Sequence, residues 1–124
     1  MKPQGFPRER RILKRGDYLR VQREGWRAAT RYFVFLLRPN ELPHNRLGLV
    51  VSAKVGKAHV RNRIKRVLRE VFRRTSPLEG LGLDMVVIPR PALPKEAPYA
   101  LAVDSFQEME RRYRKQVSEP GESR

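Results

Sequence analysis

Between His59 and Arg74 the chain reads HVRNRIKRVLREVFRR, and no other stretch restricts the fold so tightly. Val60, Ile64, Val67, Leu68, Val71 and Phe72 recur at the spacings of one helical face. The stripe is narrow and largely β-branched, which suits a packed core. The rest of the helix surface is cationic: Arg61, Arg63, Lys65, Arg66, Arg69, Arg73 and Arg74, with Asn62 among them and Glu70 as the only acid. Arg61 and Arg63 fall in or near the first turn, where the helix macrodipole already carries positive charge and stability alone favours Asp or Glu. An anion outside the helix accounts for that choice, and a polyphosphate backbone is the leading candidate. Asn62, Arg66 and Arg73 lie near one line of the helix and Arg61, Lys65 and Arg69 on the next, rows about 5–6 Å apart that can address successive phosphates or two strands.

The 124 residues suit a single domain with a modest core. Their formal charge of +15 is unevenly placed. Residues 1–75 carry 21 Lys/Arg against 5 Asp/Glu, whereas residues 76–124 carry 7 against 8. Such asymmetry argues for a nucleic-acid partner. No apolar run approaches the ~20 residues that span a bilayer, so no membrane partner is expected. The N-terminus lacks the apolar stretch of a signal peptide, and a cytoplasmic location is expected. With no cysteine there is neither a disulfide framework nor a thiolate metal site.

Pro3, Gly5 and Pro7 mark residues 1–11 as a flexible basic arm. Asp17 is placed to cap a short helix through Glu24, with Gly25 as its stop. Arg31–Arg38 reads as a buried strand and Arg46–Ser52 as a second, possible as far as Val55. The basic helix follows and stops at Ser76-Pro77. Asp84–Ile88 is a third strand, and Pro89, Pro91, Pro94 and Pro98 punctuate a loop. Tyr99, Ala102, Phe106, Met109 and Tyr113 mark a C-terminal helix of about five turns. Residues 12–116 thus form one RNA-binding domain and 117–124 a disordered tail. The order helix–strand–strand–helix–strand–helix implies an α/β sandwich, helices against one mixed sheet.

For catalysis the inventory is thin. His44 sits in a Pro/Asn loop and reads as a turn residue; His59 fits an RNA contact or a helix start better than a metal ligand. The carboxylates are scattered, and the glycines form no phosphate-binding loop. No catalytic residue and no metal ligand is expected. Most of Tyr18, Trp26, Tyr32, Phe33 and Phe35 belong in a core, and one or two could stack on unpaired bases.

The run Leu47–Phe72, LGLVVSAKVGKAHVRNRIKRVLREVF, resembles the signature of the bacterial ribonuclease P protein family. Val51, Ser52, Lys54 and Gly56 match its V-S-x-K-x-G element, and Val60–Arg66 match the R-N-R-x-K-R block. The resemblance continues through Leu13-Lys14, Asp17-Tyr18, Arg31, Phe33 and Val34, and downstream through Asp84–Ile88, Arg90-Pro91 and the last helix. It implies a fold like the second domain of ribosomal protein S5, with a left-handed strand–helix–strand crossover against the usual rule. It also implies binding to the catalytic RNA and to the 5′ leader of precursor tRNA. The RNA subunit, with Mg²⁺, would hydrolyse the substrate, and the polypeptide alone would not. On this resemblance Arg61, Asn62, Arg63, Lys65, Arg66 and Arg69 face the catalytic RNA, and the charge pattern adds Arg73. Lys54 and Tyr18 fall at the leader cleft, and Phe33 in the core. Gln22 stands where some members have a second cleft aromatic and Leu36 where some have a strand tyrosine. Trp26 or Tyr32 could compensate, and Tyr32 is taken as the third leader contact. Rival readings are a ribosomal protein or RNA chaperone, a lone metal-dependent nuclease, and a DNA binder.

Overall fold

The computed structural model describes residues 7–96 and 98–118. Four strands form one mixed sheet: β1 (Trp26–Ala29), β2 (Phe33–Pro39), β3 (Arg46–Leu49) and β4 (Leu83–Pro89), in the order β1-β2-β4-β3. β2 is antiparallel to both β1 and β4, and β3 is parallel to β4. Parallel neighbours need a crossover, and the cationic helix α2 (Ala58–Thr75) supplies it. The other helices are α1 (Arg15–Glu24) and α3 (Pro98–Ser118).

Strand alternation divides the core between the two sheet faces. Phe33, Phe35, Leu37, Leu47, Met85 and Val87 meet Ile64, Leu68, Val71 and Phe72 of α2 and Ala102, Phe106 and Met109 of α3. Leu36 and Val86 turn the other way, onto Val21 of α1 and Ile12. Phe35 and Phe106 lock the larger core edge to face, centroids 5.1 Å apart. The stripe on α2 is therefore core, as its spacing implied.

Several local expectations need correction. Asp17 does not cap α1: the helix starts two residues earlier, Lys14 at its N-cap gives no side-chain bond, and the Asp17 carboxylate lies 3.4 Å from Arg46. Arg46 spends its guanidinium chiefly on the buried Asp84, at 2.7 and 2.6 Å, and that pairing raises its pKa. Tertiary ion pairing outweighed the cap. β2 begins at Phe33, because Thr30 closes a hairpin by accepting from Phe33 N–H at 3.2 Å. Its partner β1 was not anticipated, since Arg27, Ala28 and Ala29 carry little strand propensity. β3 ends at Leu49, although Val50 still donates to Val87 O at 3.1 Å; the chain then turns, Val55 N–H bonding to Ser52 O.

Residues 8–10 form a 3-10 turn and Arg11 bridges to Leu47, so this part of the expected arm is built against β3; residues 1–6 lie outside the described residues. Val117 and Ser118 are the last residues of α3, and the remainder of the expected tail, 119–124, lies outside as well. Ser76 ends α2 in the left-handed region (φ 44°), its N–H on Phe72 O. Ala102, Phe106 and Met109 are buried as α3's spacing implied, whereas Tyr99 is exposed. Among the described residues no helix is long and apolar enough to cross a membrane.

Candidate nucleic-acid interface

Burial separates the two basic rows of α2. Asn62, Arg66 and Arg73 stand exposed, whereas Arg61, Lys65 and Arg69 are half-buried. The first row faces solvent as a ridge. In the second, Arg61 donates to Gly56 O at 2.8 Å and pins the loop carrying the exposed Lys54. Lys65 and Arg69 line a pocket with Arg11, Ile12, Leu13, Tyr18, Leu47 and Leu49. Burial, and then the neighbouring charge of Arg11, push the Arg69 pKa down. A guanidinium keeps its proton all the same, so this corner concentrates positive charge. Arg63 is exposed and donates to Lys95 O at 2.8 Å, bracing the proline-rich loop. Lys57 at the N-cap gives α2 no side-chain capping bond, and the first turn of α2 holds no acid. An anion would meet a helix end left open to it.

The far end of α2 differs. Glu70 accepts from Arg73 at 2.6 Å and also from Arg74, and the two guanidiniums hold its carboxyl below the usual carboxylate range, Arg73 foremost. Arg73 thus reaches the surface already partnered, which charge counting along the helix did not reveal. Glu70→Gln is expected to release both arginines and steepen the salt dependence of RNA binding, by up to about 1.8 in log–log slope for two added phosphate contacts. Binding isotherms across a KCl series measure this; an unchanged slope would leave Arg73 and Arg74 outside the footprint.

Tyr18 anchors a second, less charged feature on the opposite face of the sheet. Its hydroxyl accepts from Leu49 N–H at 3.2 Å and its ring lies flush on Gly48, where a side-chain carbon would come 2.7 Å from Cε1. Only glycine lets the ring sit so close to the strand. Beside it Leu13, Arg15, Leu19, Gln22 and Val50 line an open, mainly apolar groove. The register continues its floor across the sheet, pairing Ile88 with Val34 and Val34 with Ala29, all half-buried.

Tyr18 and the Lys65–Arg69 corner are therefore brought together, while Tyr32 is not. Tyr32 packs against the α2/α3 core, with Arg31 over its ring at 5.1 Å, on the sheet face away from Tyr18. Trp26 also faces that way, edge-on to Tyr113 at 5.1 Å. Neither compensates at the groove. Leu36 is 7% exposed under α1 and belongs to the core, whereas Gln22 does reach the groove. Phe33 is fully buried, as expected of a core aromatic. Sequence patterning assigned no site role to Arg11, Leu13, Leu19 or Val50, which line the two pockets; alternation around Val50 was the one available signal for the floor. His44 Nε2 lies 2.9 Å from Glu9 O and is a structural contact, and His59 is exposed in the first turn of α2.

A mixed four-stranded sheet with a cationic crossover helix and a groove on its other face defines an α+β protein that presents a basic surface. The family model described as Ribonuclease P matches residues 6–114. The ribonuclease P protein component of Thermotoga maritima is 45% identical over 93 residues, covering 75% of this chain and 80% of the relative. The solved structure of the Thermotoga maritima RNase P protein superposes with a TM-score of 0.71 at 38% identity, over 82% of this chain and 96% of that one. The Staphylococcus aureus RNase P protein gives a TM-score of 0.69 at 37% identity, over 80% and 90% of the two chains. The chain belongs to the ribonuclease P protein family. Family membership makes it the protein partner of ribonuclease P RNA in tRNA 5′ processing, and the ribosomal-protein and DNA-binder readings give way.

Proposed function

We propose that this chain binds the catalytic RNA along α2 and the single-stranded 5′ leader of precursor tRNA in the groove between α1 and the sheet. The observation that carries this reading is the meeting of the two surfaces at Tyr18, Lys65 and Arg69. A cationic ridge neutralises backbone phosphates without reading sequence. A half-apolar groove with one aromatic wall accepts unpaired bases by stacking and contact. At their junction one RNA is presented to the other, and the high positive charge eases the repulsion between them.

In this reading Arg61, Asn62, Arg63, Lys65, Arg66 and Arg69 serve the catalytic RNA, and Tyr18 and Lys54 serve the leader. Arg73 joins the first group to the extent that Glu70 releases it. In this reading no side chain is assigned to Mg²⁺. The ion belongs to the RNA subunit and substrate. There the RNA subunit would bring water onto the phosphorus at the leader–tRNA junction, the leader leaving with a 3′-hydroxyl and the tRNA keeping a 5′-phosphate.

Affinity for leader-bearing precursor, compared with mature tRNA, tests this directly. With the protein present, the leader should tighten binding well beyond what the RNA subunit achieves alone. Equal leader effects with and without protein would remove the groove from substrate binding.

A further inference from the structure

α1 crosses the sheet from one edge to the other, and the groove beside it inherits two different ends. At the β3 edge Tyr18 lies on Gly48, next to Lys65 and Arg69. In mid-sheet Val21 packs on Leu36 and Val86. At the far end Gly25 approaches the Leu37 carbonyl so closely that a side-chain carbon would lie 2.9 Å from its oxygen, and the chain turns directly into β1. β1 is the opposite edge of the sheet, three strand spacings or about 14 Å from β3.

That outer end is cationic too. Arg23 stands in the last turn of α1 and Arg27 on β1, both exposed. Arg27 pairs in register with Leu36, which places it on the α1 face of the sheet, beside the Ala29–Val34 end of the groove floor. Glu24, the acid nearest in sequence, is engaged by Arg38 at 2.9 Å and leaves the two arginines their charge. Cations in the last turn of α1 favour the macrodipole, but Arg27 lies beyond the helix and gains nothing from it. An exposed arginine on the groove side of an edge strand has a polyanion crossing that edge as its fitting partner.

We propose that Arg23 and Arg27 form the outer end of the leader track and hold phosphates of the leader nucleotides farthest from the cleavage site. The inference rests on the groove being the leader site. It adds a direction, with the cleavage-proximal nucleotides at the Tyr18–Lys65–Arg69 end and the distal ones leaving over β1. It also adds a length, because only leaders long enough to cross all four strands reach the pair.

The test uses holoenzyme reconstituted with the full chain and precursor tRNAs whose leaders grow one nucleotide at a time. Three proteins are compared: the parent, Arg23→Glu/Arg27→Glu, and Arg111→Glu/Lys115→Glu, an equal charge reversal on the exposed side of α3. For the parent, affinity should rise with leader length and then level. The Arg23/Arg27 variant should match the parent on the shortest leaders, level off earlier, and bind long leaders several-fold more weakly. Its salt dependence on long leaders should be shallower by about 1.4, the slope of two single-strand phosphate contacts. The α3 variant should keep the parent's length profile. A profile for the Arg23/Arg27 variant that levels where the parent's does overturns the proposal. So does a uniform loss at every length shared with the α3 variant, which reports bulk charge. A parent profile with no length dependence fails earlier, at the leader-groove reading itself.

Discussion

Replacing Arg66 and Arg69 together by glutamate is expected to weaken binding to the ribonuclease P RNA about a hundredfold or more at ~0.15 M salt. Arg66 lies on the exposed row of α2, and Arg69 is half-buried in the corner shared with Lys65 and Tyr18. Each lost phosphate contact removes about 0.9 from the log–log salt slope, and reversal adds repulsion to the loss. The slope should therefore fall by about 1.8 along with the affinity. Arg66→Gln/Arg69→Gln, which introduces no like charge, should show the same fall in slope with a smaller loss of affinity. Circular dichroism of both variants separates lost contacts from lost fold. Unchanged affinity and slope in a folded variant would take α2 out of the RNA interface.

Tyr18→Ala is expected to act on the substrate instead. Losing one base-stacking aromatic costs about 1–3 kcal/mol, roughly a five- to 160-fold loss in affinity for leader-bearing precursor. Mature tRNA, which has nothing to place in the groove, should bind as before. Tyr18 also has a structural part, because its hydroxyl accepts from Leu49 N–H. Tyr18→Phe divides the two roles: it keeps the ring and gives up the hydroxyl, and it should retain most of the leader preference. Equal losses for precursor and mature tRNA in Tyr18→Ala would make the residue a strut for β3. Parallel titrations of the two substrates decide between the outcomes.

How much of this was legible in the sequence depends on what kind of interaction fixed each element. α2 was readable almost to its ends, because its register is set by its own period: Ile64, Leu68, Val71 and Phe72 are all buried. β4 was readable for a similar reason, being a run of Met85, Val86 and Val87 buried from both faces. β1 was not, since Arg27 and two alanines become a strand only by pairing with β2 after Gly25 turns the chain. Asp17 misled because its cap-like position was overridden by Arg46, which is distant in sequence and adjacent in space.

The site shows the same division. The basic motif falls on α2 as its period implied, yet it could not show that Arg61, Lys65 and Arg69 turn inward, or that Glu70 occupies Arg73. Tyr18 entered through the resemblance and lines the groove beside α1, whereas Tyr32 lies in the bend before β2 and packs, like its neighbour Phe33, on the α2/α3 core. A bend residue follows no strand alternation, so its packing was not legible from the sequence pattern.

The most direct measurement is cleavage of a leader-bearing precursor tRNA by ribonuclease P RNA at low Mg²⁺, with and without this chain. Strong stimulation by the protein, with no cleavage by the protein alone, is the predicted result. RNA bound tightly without any gain in cleavage, or cleavage by the polypeptide alone, would contradict the account.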